Sequence, residues 1–126
     1  MGLQRDNVVM EKSLSFAVRI VRLYQHLSEG KREYVLSKQL LRCGTSVGAN
    51  IREAVGGQSR GDFIAKLHIS LKEIYECEYW LELLHRTNFL TQKEYESIAA
   101  DCVELAKLLT RIIKSCKRNV GANDNC

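Results

Sequence analysis

The pair Glu82 and His85 in Glu-Leu-Leu-His stands one helical turn apart. It matches the Glu-x-x-His unit with which di-iron bundles hold metal. That chemistry needs a second such unit and two further glutamates facing inward. His26 and His68 have no glutamate three residues before them, and His85 falls at the end of a helical segment, away from a bundle centre. His85 therefore reads as a surface histidine, with no metal and no cofactor implied. A second suggestive stretch is RCGTSVGANIREA (42–54), with Gly44 and Gly48 four apart. A phosphate-binding P-loop requires G-x-x-x-x-G-K-[ST] after a strand, so that backbone N–H groups and a lysine hold the phosphates. Ala49 stands where the lysine should be and no strand precedes, so that chemistry is excluded. Five cysteines (Cys43, Cys77, Cys102, Cys116, Cys126) form no C-x-x-C pair. They read as reduced thiols, mostly small core residues, of a cytoplasmic protein. No nucleophile–base pair is evident, and the chain is expected not to be an enzyme.

The remaining chemistry is electrostatic. Lys107, Arg111, Lys114 and Arg118 recur at steps of four, three and four. On a helix they fall inside an arc of about 80° opposite an apolar seam. Lys117 lies nearby, and no acid follows Glu104 until Asp124. A second, weaker basic face holds Lys12, Arg19, Arg22 and His26. Such stripes can neutralise phosphates, with binding that weakens steeply in salt; the alternative is a pair of solvated outer faces of a bundle. Tyr75, Tyr79 and Trp80 lie amid glutamates rather than among the basic residues. Any nucleic-acid binding should then go through the backbone or RNA shape rather than base sequence. The net charge of +4 permits an acidic partner without demanding one.

These residues must be positioned by helices. The chain has 126 residues, enough for one domain, and 45% of them are hydrophobic and 27% charged. It contains no proline, so nothing interrupts long helices. No stretch approaches the ~18 apolar residues of a membrane span. Four helical segments are expected. The first spans about 7–28, with Met10, Leu14, Ala17, Val21, Tyr24 and Leu27 stepping by three and four. The second spans about 31–55 and stops at Gly56-Gly57. The third begins at Ser59, with Asp62 completing a capping-box pattern, and closes at Thr87-Asn88. Thr91 with Glu94 is a full capping box opening the fourth, which runs to about Lys117. Breaks this short force neighbouring helices to run antiparallel, so an all-α, up-down-up-down four-helix bundle is expected over 1–118, with a flexible tail over 119–126.

Rotating the second segment by 100° per residue makes RCGTSVGANIREA part of a helix. Leu36, Leu40, Cys43, Gly44, Ile51 and Ala54 cluster around Val47 as a core face. Gly44 and Gly48 thin the helix for close approach, at roughly 1 kcal/mol of propensity each. Gly48, Leu41 and Val55 widen the apolar arc, which implies either a second contact, such as one between subunits, or simply the most buried helix of a monomer. Gln39, Arg42, Ser46, Asn50 and Glu53 form a polar strip. Glu73, Glu76, Glu78, Glu82, Lys66, Tyr75, Tyr79 and Trp80 of the third segment are its available partners, in a structural network rather than a catalytic one.

The chain carries the motifs KQLLRCGTSVGANIREA (38–54), QSRGDFIAKLHISLKE (58–73) and EYWLELL (78–84), with EKS (11–13). Together they resemble the four-helix-bundle family of 23S rRNA intervening-sequence proteins. The likeness runs from the first helix into the fourth. Cys43 stands where the family usually has serine, and Gly61 where a larger residue is expected. The resemblance implies a ring-like homopentamer, and a gene sometimes lodged in the insertion of a bacterial 23S rRNA gene. A similar bundle serves diversity-generating retroelements as an accessory protein, in which a basic pentamer contacts nucleic acid and a reverse transcriptase. Two functions stay open: an oligomer binding RNA or DNA through its basic faces, and a structural scaffold docking a protein partner without binding nucleic acid.

Overall fold

In a computed structural model that describes residues 3–118, helices form where apolar periodicity and capping chemistry coincide. They are α1 (Leu3–Gln25), α2 (Leu36–Val55), α3 (Arg60–Arg86) and α4 (Gln92–Arg118). The hydroxyl of Ser59 accepts from the Asp62 N–H at 3.1 Å and starts α3. Thr91 and Glu94 exchange bonds at the start of α4: the Glu94 N–H donates to Thr91 Oγ1 at 3.1 Å, and the Thr91 N–H to Glu94 Oε1 at 2.9 Å. Asn88 (φ 69°) ends α3 in the left-handed region, which asparagine tolerates better than most residues. The expected tail, 119–126, lies outside the described residues.

The first and second helices depart from expectation at their junction. α1 gives way at His26–Gly30 to a π-helical turn, and α2 begins at Leu36 rather than at Lys31. The cause is Glu33, a residue type that sequence reading does not rank among N-caps. Its carboxylate accepts from the N–H groups of Val35 and Leu36 at 3.0 Å each and of Ser37 at 2.7 Å, while the Ser37 hydroxyl donates back to the Glu33 carbonyl. Burial alone would raise the Glu33 pKa, but these backbone donors outweigh it and hold the carboxyl below its ordinary range. Its stabilisation is therefore complete above the unfolded-chain value of about 4.3 and is lost as pH falls through the lower folded value. Glu33→Ala is expected to cost about 2 kcal/mol at pH 7. Urea titrations from pH 7 to pH 3 should show the gap from wild type narrowing at the acid end. A gap of constant size would contradict the ionised cap.

Cross-helix pairs show that each helix runs against the next. Gly44 and Gly48 of α2 face Ile20 and Ser13 of α1. Val47 and Glu53 of α2 pair with Ser70 and Lys66 of α3. His85 near the end of α3 stacks on Tyr95 near the start of α4. Lys12 and Arg19 of α1 reach Glu104 and Asp101 of α4, so the four helices close on themselves. The core is drawn from all four, including Phe16, Ile20, Val47, Ile51, Ile74, Leu81, Leu105 and Leu109. Ser70 is buried without penalty because its hydroxyl donates to the Val47 carbonyl at 2.8 Å.

The expected core face of α2 matches the buried residues Leu40, Cys43, Gly44, Val47, Ile51 and Ala54, but α1 is rotated by one residue. Val9, Ser13, Phe16 and Ile20 are buried in α1. Leu14 and Val21, which the sequence places inward, are 48% and 38% exposed, and Val18 is 49% exposed. α1 carries two apolar stripes side by side, so periodicity alone could not choose between them.

Among the cysteines, Cys43, Cys77 and Cys102 are buried free thiols, with Cys77 Sγ 3.2 Å from Cys43 Sγ. The hydrogen bond to Cys43 and burial push the Cys77 thiol far up, and burial pushes Cys102 up to about 12. They are inert core residues. Cys116 is disulfide-bonded, which departs from the expectation of five reduced thiols.

Candidate nucleic-acid interface

The outer face of α4 is set by its seam. Ile98, Cys102, Leu105, Leu109, Ile112, Ile113 and Cys116 are buried against the bundle, so the residues between them point outward. Lys107, Arg111, Lys114, Lys117 and Arg118 are all exposed. Arg111, Lys114, Lys117 and Arg118 line one shallow concavity near the end of the helix. Lys107, Arg111 and Lys114 also line a groove between α3 and α4, together with Tyr75, Glu78, Val103, Ala106 and Thr110. This juxtaposition is invisible in the linear sequence, where Tyr75 stands among glutamates. A helical wheel of α3 would have put Tyr75 outside the seam, but only the α3–α4 packing puts it beside the α4 cations.

The α1 candidates are placed differently. Arg19 donates to Asp101 at 2.7 Å, to Ser97 Oγ at 2.8 Å and to the Ser97 carbonyl at 3.3 Å, all on α4. Lys12 pairs with Glu104 at 3.0 Å. Both tie α1 to α4, whereas Arg22 is exposed with no ion pair among the described residues. The α4 acids Asp101 and Glu104 thus meet α1 cations, and Lys107, Arg111, Lys114 and Arg118 are left with no ion pair among the described residues. Positive charge is separated toward the C-terminal half of α4, where it also complements the helix dipole.

Of the polar strip of α2, Arg42 and Glu53 reach partners on α3. Arg42 bridges Glu73, at 3.4 Å, and Glu76, and Glu76 also accepts from Trp80 Nε1 at 2.9 Å. Hydrogen bonds from Arg42 and Trp80 hold the Glu76 carboxyl below its ordinary range, and Arg42 is raised in return. Glu53 pairs with Lys66 at 2.9 Å and raises the lysine. Ser46 and Asn50 turn back on their own helix, Ser46 to the Arg42 carbonyl at 2.7 Å and Asn50 to the Ser46 carbonyl at 2.8 Å. Gly44 is buried against Ile20, and Gly48 lies against the backbone of Ser13. The network lies along the α2–α3 contact and ties those helices together.

Glu82 pairs with Arg86 at 2.7 Å, and the His85 ring stacks on Tyr95 with centroids 4.7 Å apart. Neither is turned toward a shared centre, and no cluster of three or more His, Cys, Asp or Glu able to hold a metal occurs among the described residues. Among those residues, no helix is long and apolar enough to cross a membrane.

A family model described as 23S rRNA-intervening sequence protein matches residues 5–111. The chain is also similar to a crystal structure of a protein with unknown function from the S23 ribosomal protein family of Bacteroides thetaiotaomicron VPI-5482. Identity is 62%, the match covers 87% of this chain and 98% of that one, and the TM-score is 0.86. No match was found among curated proteins.

Proposed function

This chain belongs to the 23S rRNA-intervening sequence protein family, and from that premise we propose that it is a non-enzymatic, self-associating cytoplasmic protein that binds RNA. Binding goes through phosphate contacts along α4 and does not read base sequence. The carrying observation is the charge separation. Asp101 and Glu104 are met by Arg19 and Lys12, and the exposed stripe Lys107–Arg111–Lys114–Arg118 is unopposed among the described residues. Cations at steps of four and three lie along one line of a helix, a geometry suited to successive phosphates.

Self-association is supported by the stripe that α1 leaves uncovered. Leu14, Val18 and Val21 are large, apolar and between 38% and 49% exposed, beside a groove lined by Ala17, Thr45 and Ala49. Contiguous apolar surface of this kind marks an interaction face. The family resemblance suggests a ring-like homopentamer, in which the α4 stripe would be repeated and weak contacts multiplied.

The test is a salt titration of the full chain with a short duplex RNA, read by fluorescence anisotropy. The logarithm of affinity is expected to fall linearly with the logarithm of salt, at about 0.9 per phosphate neutralised. Arg111→Ala should reduce that slope by about one and weaken all sequences alike. Absence of binding at low salt, or a slope near zero, would overturn the proposal. The same exposed α1 stripe favours a second reading, a scaffold that docks a protein such as a reverse transcriptase. That reading expects negligible RNA binding at physiological salt and recovery of the partner in pull-downs.

A further inference from the structure

The groove between α3 and α4 is chemically divided. Its α4 side carries Lys107, Arg111 and Lys114, and its α3 side carries Tyr75 and Glu78. Tyr75 is 52% exposed and Val103 45%, so an aromatic ring and an aliphatic side chain stand open to solvent in the same groove. Tyr75 makes no hydrogen bond or ring contact among the described residues, unlike Trp80, which is held by Glu76 and by the edge of Tyr79. Glu78 is half-buried on the same side, and burial raises its carboxyl above the ordinary range. That side of the groove lining offers a phosphate no cation, and a neutral planar group needs none.

We propose that this groove holds single-stranded RNA, with phosphates along Lys107, Arg111 and Lys114 and an unpaired base stacked on Tyr75 against Val103 and Ala106. The inference deepens the RNA-binding reading and rests on it. The charge division sets the orientation of the strand. The backbone must lie on the α4 side, where three cations stand together, and among the described residues that line the groove the flat surface open to a base is then the Tyr75 ring. A duplex presents its phosphates to the same cations but keeps its bases paired and stacked, so it can use the α4 side and not the α3 side. Base–aromatic stacking tolerates any base, because each has a π face. Preference for single strands therefore arises without sequence readout.

Anisotropy of the full chain with a fluorescein-labelled twelve-nucleotide oligouridine and with a duplex RNA of matched phosphate count tests this. Tyr75→Leu is expected to weaken oligouridine binding by about 10-fold, within the range of alanine substitutions at stacking sites, and to leave duplex binding unchanged. Tyr75→Phe should restore single-strand binding, because the ring and not the hydroxyl does the stacking. Equal effects of Tyr75→Leu on both probes, or no effect on either, overturn the stacking inference while salt-dependent duplex binding keeps the phosphate reading intact. Failure of the wild-type chain to bind either probe overturns both.

Discussion

Changing Lys107, Arg111, Lys114 and Arg118 together to glutamate is expected to abolish RNA retention while the bundle persists. The substitution turns the formal net charge of +4 into an equal negative one. Four phosphate contacts account for roughly a 100-fold loss of affinity between 50 and 200 mM salt, so removing them, and adding repulsion, should leave nothing measurable at physiological salt. All four residues are exposed, and none forms an ion pair among the described residues, so no packing is lost. Lys114 and Arg118 do favour the C-terminal end of the α4 dipole, and acids there cost about 0.3–1 kcal/mol each. The same four positions changed to glutamine remove that complication. The glutamine variant should melt close to wild type and still lose most of its salt-dependent binding. Unchanged RNA retention by the glutamate variant, with light scattering the same as wild type, would remove the α4 stripe from the interface.

The largest effect on stability is expected at Gly44. A Cβ built there would lie 2.7 Å from Ile20 Cγ2 and 2.8 Å from Cγ1, and 3.1 Å from its Cβ. These atoms lie close to the α1 backbone, on a β-branched, fully buried side chain, and cannot swing aside. Gly44→Val should therefore cost about 3 kcal/mol through overpacking, despite a few tenths regained in helix propensity. A fall of roughly 10 °C in melting temperature follows for a chain of this size. Ile20→Ala alone should cost about 2–5 kcal/mol by opening a cavity. Combined, the two changes should cost at least about 1 kcal/mol less than their sum, because valine then fills the space that Ile20 vacates. Additive losses would show that Gly44 is not there for Ile20. Gly48 gives an internal contrast. Its nearest neighbours are Ser13 Oγ at 3.3 Å and the Ser13 carbonyl at 3.4 Å, so Gly48→Ala should be tolerated far better than Gly44→Ala.

Much of the bundle could be read from residue types alone. The Thr91–Glu94 box, the Ser59 cap and the Asn88 stop each act within a few residues of the chain, and each is where local chemistry places it. The seam of α4 was legible because its apolar residues gather on one stripe opposite the cations. The start of α2 was not legible, because its cap is the side chain of Glu33, reaching across the junction to three N–H groups. The face of α1 was not legible either, since two stripes compete there. On the candidate interface, the α4 cations were evident from their spacing. Their association with Tyr75 was not, because that pairing is made by the packing of α3 on α4 and by nothing in the order of the residues.

The two glycines of α2 also decide which way α1 faces. A helix with adjacent apolar stripes has two nearly equivalent rotations against its neighbour, differing by the 100° between successive residues. Gly48 admits the α1 backbone closely only where the facing residue is as small as Ser13. Rotation by one position would bring Leu14 into that notch and turn Ile20 away from Gly44. The notch thus acts as a gauge that reads side-chain size and rejects one of two folded arrangements of similar hydrophobicity. The stripe it rejects is the one left outside, so the choice of core and the choice of outward-facing apolar surface are a single decision, made at two residues that have no side chain.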